Sequence, residues 1–162
     1  MTPQTRPFDR LPTTILAAGV FGLAWNIFGL TRFAATEFAN EAELIAGGMT
    51  AAQAALYTAL PSWMAIAFGV GVLAGTTGCI LMLLRRRAAV PVLTASLVAY
   101  VVLFVGDITQ GVFAAFGVGQ VVVLGLVVAV AAALLALARR GDRAGFFDGP
   151  RPGRAVLPAT SA

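Results

Sequence analysis

The sequence predicts an all-α polytopic membrane protein, a four-transmembrane-helix bundle with one short external helix. Three observations lead there. The chain is 59% hydrophobic and only 11% charged, with a mean hydropathy of +0.90, whereas a soluble domain carries roughly a quarter of its residues charged. The apolar residues gather into four blocks, each close to the roughly 20 residues that a bilayer crossing needs. Every basic residue is arginine, and all but Arg32 fall on one side of the four blocks taken as crossings.

That last pattern sets the expected orientation. Arg6 and Arg10 precede the first block, Arg85, Arg86 and Arg87 join the second to the third, and Arg139, Arg140, Arg143, Arg151 and Arg154 follow the fourth. An excess of arginine in short flanking segments marks the cytoplasmic side. Both termini are therefore expected there, in a multi-pass protein of the inner (plasma) membrane. The same arginines are scattered beside spans rather than massed on one face, so no nucleic-acid partner is expected.

Residues 1–12 carry Pro3, Pro7 and Pro12 and read as a disordered cytoplasmic lead. The first span, 13–32, has Thr13 or Thr14 as its expected cap. Its apolar run exceeds a signal-peptide core, and Phe33-Ala34-Ala35-Thr36 makes a poor cleavage site, so it reads as an uncleaved anchor. From Thr13 to Arg32 a helix rises about 28 Å, which places Arg32 at the outer boundary.

The external segment, 34–61, begins acidic with Glu37, Glu41 and Glu43 and is broken by Gly47-Gly48. MTAAQAALYTAL then reads as a helix, with Thr50 and Gln53 as a capping box and Pro61 as its end. It is expected to lie on the membrane surface or cap the bundle; a lid over a solute site is the alternative.

The second span, 62–84, opens on Trp63, an expected interfacial anchor. Ala67, Gly71, Gly75 and Gly78 form one stripe along it, and the first span has a similar stripe of Ala18, Gly22, Asn26 and Gly29. Small residues let membrane helices approach closely, so these two helices are expected to pack stripe to stripe. An amide in hydrocarbon is costly unless bonded. Asn26 is therefore expected in that seam, paired with Thr76, Thr77 or a backbone carbonyl of the second helix.

The third span, 88–107, tolerates Pro91 in its first turn. Thr94 and Ser96 are expected to bond back to the preceding turn, and Asp107 falls near the outer end. A short loop with Thr109, Gln110, Gly111 and Gly117 leads to the fourth span, 118–138, which is Val, Ala and Leu almost throughout. Residues 139–162, with Gly149, Pro150, Pro152, Gly153 and Pro158, read as a flexible cytoplasmic tail.

The chemical inventory excludes much. Without histidine there is no histidine-ligated haem or zinc and no serine–histidine nucleophile, and Cys79 is the lone cysteine. No catalytic, cofactor or metal residues are expected, and the chain reads as a non-enzyme. The candidate site is an outer polar cluster of Asn26, Arg32, Trp63, Asp107 and Gln110. Ionisable residues within spans are functional hypotheses by default. Arg32 and Asp107 reach the same depth, so a structural pair or interfacial snorkelling is expected; a solute or proton site is the alternative.

Three motifs together resemble a family of small bacterial four-helix membrane proteins often labelled "sugar transporter". They are Trp25-Asn26 with Gly29, Pro61-Ser62-Trp63 opening the second span, and GTTGCILMLLRRRAAVP (75–91) followed by Ser96-Leu97. The resemblance covers residue 16 to about 105 and implies the four-helix architecture. Arg32 stands where that family has an acidic residue and Ala88 where it has an aromatic, so no site residue is carried over. The expected function is an accessory or structural one, in contact with the bilayer and with a second copy or another membrane protein. The alternative is a small polar-solute, sugar-like transporter acting as an oligomer.

Overall fold

The computed structural model describes residues 12–147, and the architecture below refers to them. Seven helices follow one another: α1 (Thr13–Glu37), α2 (Glu41–Ala46), α3 (Ala51–Thr58), α4 (Ser62–Leu83), α5 (Ala89–Thr109), α6 (Val112–Phe116) and α7 (Val118–Arg143). Four of them, α1, α4, α5 and α7, are long and apolar enough to cross a membrane. The protein is an all-α four-helix membrane bundle. Its arginine end carries Arg85, Arg86, Arg87, Arg139, Arg140 and Arg143; its glutamate end carries Glu37, Glu41 and Glu43.

Around the bundle the order is α1, α4, α5, α7. Helix α4 packs most closely, against α1 on one side and α5 on the other, while the wall between α7 and α1 is the thinnest. Large apolar residues such as Phe21, Ile66, Leu73 and Val122 point outward. In hydrocarbon they meet lipid as readily as protein, so close backbone approach rather than apolar burial must hold the helices together.

The glycines supply that approach, though not in the expected register. The stripe on α4 turns mainly to α5: a Cβ at Gly71 would meet the Tyr100 ring at 2.6 Å, and one at Gly78 would meet Leu93 at 2.6 Å. Room for those two side chains decides the face. Only Gly75 stands between both neighbours, beside Asn26 of α1 and Ser96 of α5. From the other side, α1 presents Gly19 and Gly29 to the leucine, methionine and valine side chains of α4. Glycine on one helix therefore receives bulk from the next.

Several local expectations change. Neither Thr13 nor Thr14 caps α1; Pro12 takes the N-cap position, and its carbonyl accepts from Ile15 and Leu16. Proline's fixed φ suits the entry to a helix, and both threonines fall within the first turn instead. Helix α1 also continues past Arg32 to Glu37, carried by Ala34 and Ala35, with the Thr36 hydroxyl bonded back to the Arg32 carbonyl at 3.0 Å. The external segment holds two helices. The Thr50–Gln53 box opens α3, and a second box, Asn40 with Glu43, opens α2.

At the arginine end, residues 139–147 were expected in a flexible tail and are helix and packed turn. Helix α7 runs on to Arg143, and Gly145, at φ +77°, reverses the chain. Phe147 is then driven into the bundle with 0% exposure, among Ile15, Met82, Ala138 and their neighbours. Its carbonyl accepts from Arg87 Nε at 2.9 Å. The rest of the expected tail, and lead residues 1–11, lie outside the described residues.

Candidate functional site

Helical periodicity brings three faces together at the glutamate end. On α1, Trp25, Gly29, Arg32 and Thr36 follow one another at i, i+4, i+7 and i+11 and share a face. On α5 the same spacing aligns Ser96, Tyr100, Leu103 and Asp107, and on α7 Gln120, Leu124 and Val127 do so. Because α7 and α1 separate towards this end, these faces, with α4 between α1 and α5, enclose a cavity of about 770 Å³. That lies within the size range of small-molecule sites. Phe28 of α1 and Val123 of α7 both line it and are both exposed, so the cavity opens through the thin wall.

The external helices close over the top. Gln53 Nε2 of α3 donates to the Ala115 carbonyl of α6 at 3.0 Å, and Tyr57 Oη donates to Glu37 Oε1 at 2.8 Å. Burial is the largest cause pushing the Tyr57 hydroxyl well above its ordinary pKa. A bond with Thr36 opposes this, and the Glu37 and Asp107 carboxylates add to it. Tyr57 therefore stays protonated and remains a donor to Glu37.

Asp107 is the deepest charge-bearing group of the cavity, 4% exposed. Its Oδ2 accepts from Gln120 Nε2 of α7 at 3.2 Å. The expected Arg32–Asp107 ion pair is not formed: Arg32 lines the same cavity but is itself exposed, and the bond to Asp107 comes from Gln120. At that outer position an arginine keeps its head in solvent without desolvation, which a buried pair would require.

The five residues of the expected outer cluster are thus separated. Arg32 and Asp107 line the cavity. Trp63 instead lays its ring against Gly106 and is 41% exposed, and Gln110 is exposed at the end of α5. Asn26 lies below the cavity in a closed seam. Its Nδ2 donates to Gly22 O of its own helix at 2.8 Å and stands 4.0 Å from Cys79 Sγ, while Oδ1 accepts from Tyr100 Oη at 3.4 Å. The expected partner Thr76 bonds back to Val72 O at 2.8 Å instead, and Thr77 is exposed. Ser96 does not bond back as Thr94 does; its Oγ crosses to Gly71 O at 2.7 Å, reachable because Gly71 has no side chain in the way.

Beside this seam is a void of about 10 Å³, at the lower limit of what one water needs. Trp25, Tyr100 and Val127 line both this void and the large cavity, so they form the partition between them. Below it the arginine half is filled by Cys79, Met82, Leu93, Leu134, Leu135 and the Phe147 wedge.

Tyr57, Tyr100 and Gln120 were not singled out from sequence. The stripe Ser96–Tyr100–Asp107 is a readable signal for Tyr100, and Gln120 is the one amide in its apolar helix. Tyr57 has no comparable signal. Among the described residues no group of His, Cys, Asp or Glu stands where it could hold a metal ion. Comparison with protein families, with curated proteins and with solved structures finds no match.

Proposed function

We propose that this multi-pass protein binds a small solute in the cavity at its glutamate end, as the loading step of transport across the inner membrane. The observation that carries this reading is the buried Asp107 on the wall of a solute-sized cavity. A carboxylate kept at that depth opposite only a neutral amide is costly for structure alone. The reading involves no covalent chemistry, and in it the protein acts as a non-enzyme.

The arginine distribution supports cytoplasmic termini, so the glutamate end faces outward. A reporter fused after Ala162 is then active only on the cytoplasmic side; activity on the other side overturns the orientation. The exposed apolar faces suit the bilayer and leave room for a second copy or another membrane protein.

The test uses fluorescence, since Trp25 lines the cavity and Trp63 does not. In a Trp63→Phe background, titrating small sugars, polyols and amines onto the reconstituted protein is expected to give a saturable change in Trp25 emission that Asp107→Asn weakens. A panel that leaves Trp25 unperturbed rejects the reading. An accessory role is the second reading, favoured by the apolar cluster of the arginine half that stands below the cavity. Uptake of the bound solute into sealed vesicles separates the two: binding without uptake supports the accessory role.

A further inference from the structure

The chemistry of the cavity wall narrows the class of solute, on the premise that the cavity is a ligand site. Two carboxylates line it, and each is held by a neutral donor, Glu37 by Tyr57 and Asp107 by Gln120. The one arginine on the same wall, Arg32, forms an ion pair with neither. The site therefore holds two acceptors for positive charge against a single arginine, which is paired with neither. An anionic ligand would meet like charge at both carboxylates, which disfavours it.

The remainder of the wall is largely apolar and aromatic, with Trp25, Phe68, Tyr100 and Phe116 contributing rings. Aromatic faces attract cations by their quadrupole, more strongly where water is excluded. The cavity of about 770 Å³ is far larger than an inorganic ion, and no metal-ligating group is gathered there among the described residues. A neutral sugar would find hydrogen-bonding groups on this wall, at Thr36, Thr58, Ser62 and Gln120, but would leave the Asp107 charge uncompensated.

We propose that the cavity takes an organic cation with an apolar or aromatic body, a protonated amine or a quaternary ammonium, with its charge against Asp107 and its body among the rings. Glu37, bonded to Tyr57 under the roof, supplies the second negative charge. Arg32 at the exposed rim sets the polarity of the site: a cation is disfavoured beside it and favoured further in.

Three water-soluble probes share an aromatic body and differ in charge: benzyltrimethylammonium, phenyl β-glucoside and benzenesulfonate. Their binding to the full chain in nanodiscs is followed through Trp25 in the Trp63→Phe background. Benzyltrimethylammonium is expected to bind about tenfold or more tightly than either of the others, the scale of one desolvated cation–π contact. Asp107→Asn is expected to abolish that preference and Glu37→Gln to reduce it by a smaller factor. Equal or better binding of the glucoside or the sulfonate overturns the cationic class while leaving the ligand site in place. Failure of all three to bind a folded protein removes the ligand site itself. Should Asp107→Asn fail to fold, the probe series on the wild type and Glu37→Gln still decides the class.

Discussion

The two ends of this bundle are made from the same four helices and are built in opposite ways. At the arginine end the described helices interlock: glycines of one helix receive leucine and methionine of the next, and Phe147 is brought back by a reversed turn into the apolar cluster. At the glutamate end α7 and α1 part, and the space between them is left as a cavity roofed by α3 and α6. Packing contacts stabilise the first end; the second trades them for volume and for a buried carboxylate. If this contrast is right, stability resides at the arginine end and ligand recognition at the other, and substitutions should separate accordingly.

The largest expected effect is at Phe147. Truncation to alanine removes a fully buried ring and should cost about 3–5 kcal/mol, read from reversible unfolding in mixed micelles. It should also speed alkylation of Cys79, which shares that apolar cluster. Phe116→Ala, which enlarges a cavity already open, should cost clearly less. Equal losses at the two sites would break the contrast between the ends.

Next is Gly75, where the two halves meet. A Cβ there runs into Asn26 Oδ1 and approaches Ser96 Oγ at 3.1 Å. Gly75→Ala should destabilise by about 1–3 kcal/mol, as overpacking does. Gly125, on α7 at the open end, has nothing within 4 Å of an added Cβ. Gly125→Ala should therefore be neutral or gain up to about 1 kcal/mol in helix propensity. The pair of measurements separates glycine needed for approach from glycine that merely occupies a helix.

How far the sequence discloses this plan varies with the kind of pattern involved. The four spans are legible because lipid demands uninterrupted apolar length, a constraint that few other folds impitate in composition. The seam position of Asn26 is legible because it shares a 3.6-residue period with Gly22 and Gly29. Its partners are not: the stripe Ser96–Tyr100–Asp107 marks a face of α5 without saying which helix that face meets, and which neighbour the α4 stripe faces depends on helix order around the bundle, which periodicity does not encode. The Phe147 wedge is hidden for a different reason. A Gly-Phe-Phe after a charged helix end looks like surface chain until the space waiting for the ring is known. The cavity is least legible of all, since it arises from the divergence of α7 and α1 rather than from any residue.

Asp107→Asn tests the glutamate end directly. Asparagine keeps the size and an acceptor for Gln120 while removing the charge. Stability should therefore stay within about 1 kcal/mol of wild type or rise, because a buried charge without a cation is itself unfavourable. A loss as large as that at Phe147 would mean that Asp107 is structural, and the division of labour between the ends would fall.

The smallest effect is expected from the Arg87–Asp142 charge pair at the arginine end. Arg87 Nε lies 3.6 Å from Asp142 Oδ1, too far for a hydrogen bond, and both side chains are about two-fifths exposed, at 41% and 39%. The same Nε instead donates to the Phe147 carbonyl at 2.9 Å. A pair this long and partly exposed contributes about 0–1 kcal/mol, so Asp142→Asn should change stability by less than about 1 kcal/mol and leave Cys79 alkylation unaltered. Arg87→Lys keeps the charge but loses the Nε donor, and it should cost about 0.5–1.5 kcal/mol, the net worth of one hydrogen bond. If Asp142→Asn proves the more damaging of the two, the wedge is held by charge rather than by the backbone bond. Raised salt should then loosen the arginine end, whereas the hydrogen-bonded arrangement is largely indifferent to it.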